Sequence, residues 1–416
     1  MRRLIIIIFI AFSTLANAQD TLLLSLKQTD SLFITRNLML LASRYKVDGA
    51  QALVKQAKLW NNPSLSTEWN LYNPDKKQFF DVGSTGQKIF AIDQVISIAG
   101  QRNKRIALAK ANAQFTEFEF YELMRTLRTE LHTSYYAIYF NSLTIEKYTS
   151  QLNLLNTLID ALDLQNTKGN IPLKEVLRLK AMYYQLNNER TDLVSNLLDA
   201  QQNLATLLQL TTPFKPAPAP EEFSRYTIAG LDLKTLLDKA TANRPDLKMA
   251  ENISQQAEVN YVLQKRTAVP DLHIGGLYDQ AGSYINHYTG LSVGFDLPVW
   301  NRNQGNVKYA RATAEQYKAE LKNKAISVNN EVVTTYQKLL QVEQEYAKVD
   351  TSFGQGFDQL NEGFIINFQR RNISMMEFTD FFEAYNSSIQ QLNKLNEKRI
   401  QTYEELNYVI GEELFR

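Results

Sequence analysis

Few side chains in this chain have the type and spacing that covalent or metal chemistry needs. Cysteine is absent, which excludes disulfides, thiolate nucleophiles, thiolate metal sites and a lipidated N-terminal cysteine. The three histidines, His132, His273 and His287, are far apart in sequence, so no transition-metal site is expected. No nucleophile–base pair or phosphate loop stands out, and the carboxylates are scattered among helical surface charges. The chain is therefore not expected to be an enzyme or to hold a cofactor. Met375-Met376 offers soft sulfur, but a methionine pair at a helix start reads first as packing. Charge adds little: 45 basic residues face 44 acidic ones, whereas a nucleic-acid binder needs a basic excess or stripe. With 44% hydrophobic and 11% aromatic residues, the chain is not disordered.

The elements that carry these residues begin with a targeting segment. Met1-Arg2-Arg3 is basic, Leu4 to Phe12 is apolar, and Ala16-Asn17-Ala18 is a small-x-small cleavage site. Residues 1–18 read as a secretory signal peptide, leaving a chain that starts at Gln19-Asp20. The apolar run falls short of the ~20 residues of a spanning helix, and no later run reaches that length. If the rest of the chain enters a membrane, it must do so as a closed β-barrel, because lipid satisfies no open strand edge.

Sliding the chain along itself shows a duplication. Leu26-Lys27 falls on Leu233-Lys234, Leu40 on Leu247, Ala50 on Ala257, Lys58 on Lys265 and Pro63-x-Leu65 on Pro270-x-Leu272, all at a shift of 207. Later the shift is 201: Ala109-x-Ala111-x-Ala113 overlies Ala310-x-Ala312-x-Ala314, and Glu130-x-x-Thr133-x-Tyr135 overlies Glu331-x-x-Thr334-x-Tyr336. Asn170-Ile171 and Glu175 then meet Asn372-Ile373 and Glu377. The first copy thus carries an excess of about six residues between Leu65 and Ala109, read as a longer loop. The repeats span 19–210 and 227–416, joined by a proline-rich linker at 211–226 that reads as an extended connector.

Each repeat combines two periods. Residues 101–168, 173–212, 306–353 and 364–410 hold no Gly or Pro. Within them Ile106, Ala109, Ala113, Phe120, Leu123 and Leu127 recur in three- and four-residue steps, as do Val307, Ala310, Ala314, Tyr317, Leu321 and Val328. That spacing predicts long helices in antiparallel coiled-coil pairs; 101–168 alone would run roughly 100 Å. Gly354, Gly356 and Gly363 predict a bend in the second copy. Ahead of each long helix the period changes to two. Leu65, Thr67, Trp69 and Leu71, then Phe90, Ile92 and Ile96, predict a β-hairpin over about 64–97. Leu272, Ile274, Gly276 and Tyr278, then Leu291, Val293, Phe295 and Leu297, predict another over about 271–299, with Asp279 to Tyr288 as the loop between them. Strands of ~9–11 residues match a tilted membrane crossing. Aromatics near their ends, Trp60, Trp69, Tyr72, Phe79, Phe80, Tyr278, Tyr284, Tyr288 and Trp300, suit interfacial girdles. An ordinary soluble hairpin fits the strands as well. Four strands cannot close a barrel, so a membrane reading requires copies of the chain to pool hairpins around an axis; only trimers and larger leave a lumen.

At this point the sequence resembles the TolC-like outer-membrane efflux protein family over essentially the whole mature chain. The resemblance rests on Leu231-Asp-Leu-Lys-Thr-Leu-Leu through Ala242-Asn-Arg-Pro-Asp-Leu247, on Val269-Pro-Asp-Leu272 and on Leu297-Pro-Val-Trp-Asn-Arg-Asn-Gln-Gly305. Asn62-Pro-Ser-Leu65 and Ala99-Gly-Gln-Arg102 are the first-copy equivalents. Asn301-Arg-Asn-Gln-Gly305 and Gly100-Gln-Arg102 look most like the heavy-metal efflux branch. The resemblance implies a mainly α fold with a β-barrel part: a duplicated helical coiled coil plus two hairpins that complete an oligomeric transmembrane barrel. It also implies a homotrimer in the outer membrane of a Gram-negative bacterium, embedded in outer-membrane lipid with helices in the periplasm. The trimer would be a passive duct served by a periplasmic adaptor protein and an inner-membrane efflux pump.

Site residues follow from the same resemblance. Tips for adaptor docking fall at Gly169, Asn170 and Ile171 and at Arg371, Asn372 and Ile373, with Gly169 free to take a positive φ and Asn372 the best left-handed residue of the second turn. Glu377 and Asp380 fall where the family often has an acidic ring at the periplasmic mouth; the plain alternative is solvated surface. Glu175 and Arg178 occupy the same offset in the first copy as a mixed pair. A competing reading of the whole chain is a soluble periplasmic adaptor or structural coiled coil, which would lack membrane-length hairpins.

Overall fold

Short capped helices open each copy. The computed structural model describes residues 21–84, 86–282, 284–349 and 353–415, so the predicted leader lies outside the described residues. Strand β1 (Leu22–Leu24) leads into helix α1 (Leu26–Arg36), which starts on a reciprocal cap: the Ser25 hydroxyl accepts from Gln28 N–H and the Gln28 side chain accepts from Ser25 N–H. One extended residue, Asn37, separates α1 from α2 (Leu38–Ala57). In the second copy Asp232 caps α6 (Leu233–Asn243), and one extended residue, Arg244, separates it from α7 (Pro245–Thr267). Proline at the first position of α7 needs no amide partner there.

The long helices form as their composition predicts. Helix α3 runs unbroken over 67 residues (Gln101–Thr167), and α4 (Leu173–Leu208) returns from it. The second copy has α8 (Gln304–Tyr346), α9 (Phe353–Gln369) and α10 (Met375–Ile410). The predicted glycine bend is misplaced. Gly354, Gly356 and Gly363 lie inside α9, and the described interruption is the turn at 347–349, ahead of them. A glycine lowers helix propensity by about 1 kcal/mol, which neighbouring turns of helix can absorb. The linker is likewise more structured than its prolines imply: β6 (Phe214–Pro216) pairs in parallel with β1, and α5 (Pro220–Ser224) follows.

Each hairpin forms, with revised bounds. Strands β2 (Ser64–Trp69) and β5 (Lys88–Ile96) make the first; β7 (Leu272–Ala281) and β8 (Asn286–Phe295) make the second. The loop expected over Asp279 to Tyr288 shrinks, because both strands extend into it and Ala281 pairs with Asn286. In the first copy the extra residues fold on themselves as β3 (Tyr72–Asn73) and β4 (Gln78–Phe79), leaving β2 only six residues long.

Two compact units result, and they are not the two copies. One comprises residues 42–122 and 245–327, with the four-stranded sheet; the other comprises the described residues up to 41, 123–244 and 328–415. Each draws on both repeats. In the second unit the core near the helix hairpins is built by Tyr148, Leu152, Leu155, Leu179, Phe378 and Phe382. No described helix is long and apolar enough to cross a membrane.

Candidate functional site

The antiparallel sheet runs β2-β5-β7-β8, and its register defines two faces. Leu65 pairs with Ile92, Thr67 with Phe90, Phe90 with Tyr278, Ile96 with Leu272, Ile274 with Val293, and Leu272 with Phe295. Residues paired across a sheet share a face, so these side chains form one apolar surface. It is exposed: Leu65 is 71% and Leu291 79% accessible. The opposite face is mixed: it carries Ser64, Glu68, Asp93, Asp279 and Ser292 with small residues and the apolar Ile89, Val95 and Leu277, and His273 Nδ1 lies 3.3 Å from Asp93 Oδ2 there. Among the described residues the outer edges of β2 and β8 have no strand partner. A wide exposed apolar face between two open edges is unstable in water, where it would aggregate, and incomplete in lipid.

Two of the expected interfacial aromatics, Trp69 and Tyr278, sit on the apolar face, and a third, Tyr72, lies in a separate small hairpin. Trp69 meets Phe90 edge-on at 6.5 Å, Phe90 meets Tyr278 at 6.5 Å, and Tyr72 packs on Phe79 at 4.8 Å in the small β3–β4 hairpin. Tyr288 does not join them. It pairs with Asp279, so its register puts it on the opposite face, one residue out of phase with Leu291 and Val293.

Both helix hairpins turn through a left-handed residue. In the first, Gly169 has φ 77°, and Asn170 N–H donates to Gln165 carbonyl at 3.0 Å. The Asn166 side chain donates to Ile171 carbonyl at 2.8 Å, and Pro172 begins the return. In the second, Asn372 N–H donates to Asn367 carbonyl at 2.9 Å, but the left-handed residue is Arg371 (φ 63°), not the expected Asn372. The closing bond fixes which position must be left-handed, whatever side chain occupies it. Asn170 and Arg371 are exposed, while Ile373 and Met375 pack against the core and Met376 is exposed.

Glu377 closes the second turn. Its carboxylate accepts from Ser374 N–H and Ser374 hydroxyl, both at 2.7 Å, while Glu377 N–H donates to Ser374 Oγ. Those bonds, the backbone one first, hold its carboxyl below the usual range. Asp380 is exposed on the next turn. In the first copy Glu175 is half-buried and Arg178 exposed.

A charge network in the second unit has no counterpart in the sequence reading. His132, 5% exposed, places Nε2 2.9 Å from Asp30 Oδ1 and Nδ1 3.0 Å from Glu404 Oε2. Two carboxylates can only accept, so the ring donates from both nitrogens and is an imidazolium. Burial alone would lower its pKa; attraction to Glu404 and hydrogen bonds with Asp30 and Glu404 outweigh it and carry the pKa to about 9. Glu404 also accepts from Tyr226 hydroxyl at 2.5 Å and from Asn407 at 3.2 Å, and despite burial its pKa is lowered by His132. The network ties α1, α3 and α10 to Tyr226 at the end of the linker. No group of three or more His, Asp or Glu able to hold a metal occurs among the described residues.

Comparison with known proteins places this geometry. Residues 236–349 match the family described as Outer membrane efflux protein. Toxin and drug export protein A of Aggregatibacter actinomycetemcomitans is 24% identical over 185 residues, 41% of this chain; the match spans only 36% of that protein's length. Among solved structures, a membrane protein from Pseudomonas aeruginosa aligns with a TM-score of 0.76 at 12% identity, over 93% of this chain and 90% of that one. CusC, described with transmembrane channel formation, aligns at 0.73 and 16% identity over 94% of each chain. The Campylobacter jejuni CmeC outer membrane channel aligns at 0.75 and 12% identity, over 93% of this chain and 86% of that one. At such identities the shared property is the fold, and the fold matches nearly end to end.

Proposed function

We propose that the chain, whose residues 236–349 match the family described as Outer membrane efflux protein, is a passive outer-membrane efflux duct assembled from three copies. The observation that carries the reading is the sheet: four strands, one apolar exposed face, one mixed face and two open edges. Three copies set edge to edge give a twelve-stranded cylinder, with apolar side chains toward lipid and Glu68, Asp93 and Asp279 toward water. Eight strands would fill their own interior; twelve leave a lumen. A soluble adaptor or structural coiled coil has no use for that apolar face.

The long helix pairs then extend the duct on the periplasmic side. Its energy comes from an inner-membrane pump, reached through a periplasmic adaptor that docks at Gly169, Asn170 and Ile171 and at Arg371, Asn372 and Ile373. Asp380 and Glu377 lie just beyond the second tip and, brought toward one axis, focus negative potential that favours cations. Glu377 also caps its helix, so Asp380→Asn is the cleaner probe of the mouth. The test is conductance of the purified chain in planar bilayers. Discrete channels, with multivalent-cation block weakened in Asp380→Asn and further in the Glu377→Ala/Asp380→Ala pair, are expected. No channel activity would overturn the duct, and unchanged block would remove the acidic mouth alone.

A further inference from the structure

Both helix-hairpin apices stand at one end of the second unit, where Leu158, Leu179 and Phe378 share a core with Ile373 and Met375. From Thr167 to Lys174 the charged residues are Lys168 and Lys174; from Gln369 to Ser374 they are Arg370 and Arg371. No carboxylate falls in either stretch. All four cations are exposed, and none makes an ion pair among the described residues. The nearest carboxylates serve the chain's own groups or are set back. Glu175 is half-buried, Glu377 accepts from Ser374, Asp163 pairs with Lys180 at 2.7 Å, and the exposed Asp380 stands a turn behind Glu377.

Local helix electrostatics accounts for only two of the four. A cation just past a helix C-terminus complements the partial negative charge there, which suits Lys168 after α3 and Arg370 after α9. Lys174 lies in the first turn of α4, where the same dipole opposes it. Arg371 holds φ 63°, a left-handed conformation that is costly for its side chain, with Asn372 beside it. Neither gains a contact within the chain, so both charges are left for a group outside it. Apolar side chains surround them: Leu164 on α3, Leu173 and Leu177 on α4, Ile366 on α9 and Met376 on α10 are all exposed. A complementary surface carries carboxylates on a narrow turn between apolar residues. A flat anionic lipid surface fits less well, because Glu377 and Asp380 lie roughly 10 Å from the apex, about one Debye length, and repel it.

We propose that the two tips dock a partner helical hairpin whose turn carries aspartate or glutamate between apolar residues. Its carboxylates meet Lys168, Lys174, Arg370 and Arg371, and its apolar residues meet Leu173, Leu177 and Met376. This rests on adaptor docking at the tips and gives the adaptor its charge. The probe is a dye-labelled synthetic helical hairpin with Asp and Glu in its turn and leucines beside them. It is titrated by fluorescence anisotropy against the full chain in a neutral maltoside detergent. Saturable binding is expected, about tenfold tighter than for the same hairpin with Asn and Gln in the turn, because several exposed charge contacts, each weak, act together. The Lys168→Gln/Lys174→Gln/Arg370→Gln/Arg371→Gln variant should lose that preference. Lys110→Gln/Lys308→Gln/Arg311→Gln/Lys322→Gln removes the same charge from exposed positions outside the tips and should keep it. Lys174→Gln alone should show part of the loss and guards against misfolding of the fourfold variant. Equal loss in the two fourfold variants would mark general surface charge and overturn the proposal. So would tighter binding of the Asn/Gln hairpin, and either result leaves docking itself in place. No binding by either hairpin would remove the docking reading as well. Capture of the chain, held in zwitterionic nanodiscs, by phosphatidylglycerol vesicles without any hairpin preference would give the tips to a lipid surface instead.

Discussion

The two copies share a plan and differ in how each is locked. At the joint of its short helices the first copy uses Asn37, which accepts from Leu40 N–H and donates to Leu207 carbonyl, both at 2.9 Å. The second uses Arg244, 2% exposed, which reaches Val409 carbonyl at 3.1 Å and Glu331 at 2.7 Å. Both residues tie the same kind of joint to the end of their own repeat, one with a neutral amide and one with a buried charge. The first copy places its buried charge elsewhere, at His132, where the second has Val333. At the tips the contrast repeats: Gly169 with an uncapped Pro172 against Arg371 with the Ser374–Glu377 box. A duplicated chain keeps the backbone requirement and lets each half meet it with different chemistry.

The largest expected effect breaks this contrast at His132. Its folded pKa of about 9 lies above the ordinary 6.5, so the protonated ring stabilises the fold. That contribution, on the order of 3 kcal/mol, is complete below about pH 6.5 and is lost as pH rises through about 9. Thermal melts between pH 7 and 10 should show a falling Tm for the parent and a flatter, lower curve for His132→Gln. Equal slopes would mean that the network does not hold the proton.

Next come the joints. Arg244→Met should cost about 2–3 kcal/mol, since it leaves Glu331 and a carbonyl without their partner, discounted because Glu331 is partly exposed. Asn37→Ala should cost about 1–2 kcal/mol for two neutral hydrogen bonds. Denaturant midpoints would give the order, and a reversed order would show that charge is not what distinguishes the copies.

The smallest effects lie at the tips. Gly169→Ala should destabilise by about 1 kcal/mol and Arg371→Gly should stabilise by up to about 1 kcal/mol, because both positions are left-handed. Ser374→Ala should lose about 1 kcal/mol with the cap. If Arg371→Gly destabilises instead, the arginine side chain contributes more than its backbone strain costs.

Much of this was legible in sequence because it depends on local periods. Period two in Leu272, Ile274 and Tyr278, the glycine-free run of 101–168 and the collinear matches of the two copies each depend on neighbours along the chain. Tyr288 reads as part of a loop, where no face is defined; once β8 reaches back to Asn286, period two from Leu291 puts it on the opposite face. The left-handed residue of the second turn was not legible, since Asn372 has the better intrinsic propensity but Arg371 has the position. The partners of His132 lie 102 and 272 residues away, and no spacing rule reaches that far. The only signal was a titratable ring among the apolar residues of a long helix, which spacing alone cannot assign a partner.

The central claim is that the open sheet is completed by identical neighbours. Its most direct test is membrane fractionation followed by the mass of the detergent-extracted particle. Extraction only with detergent, as a particle holding three chains, is the predicted result. Recovery of a single chain in buffer without detergent would contradict it.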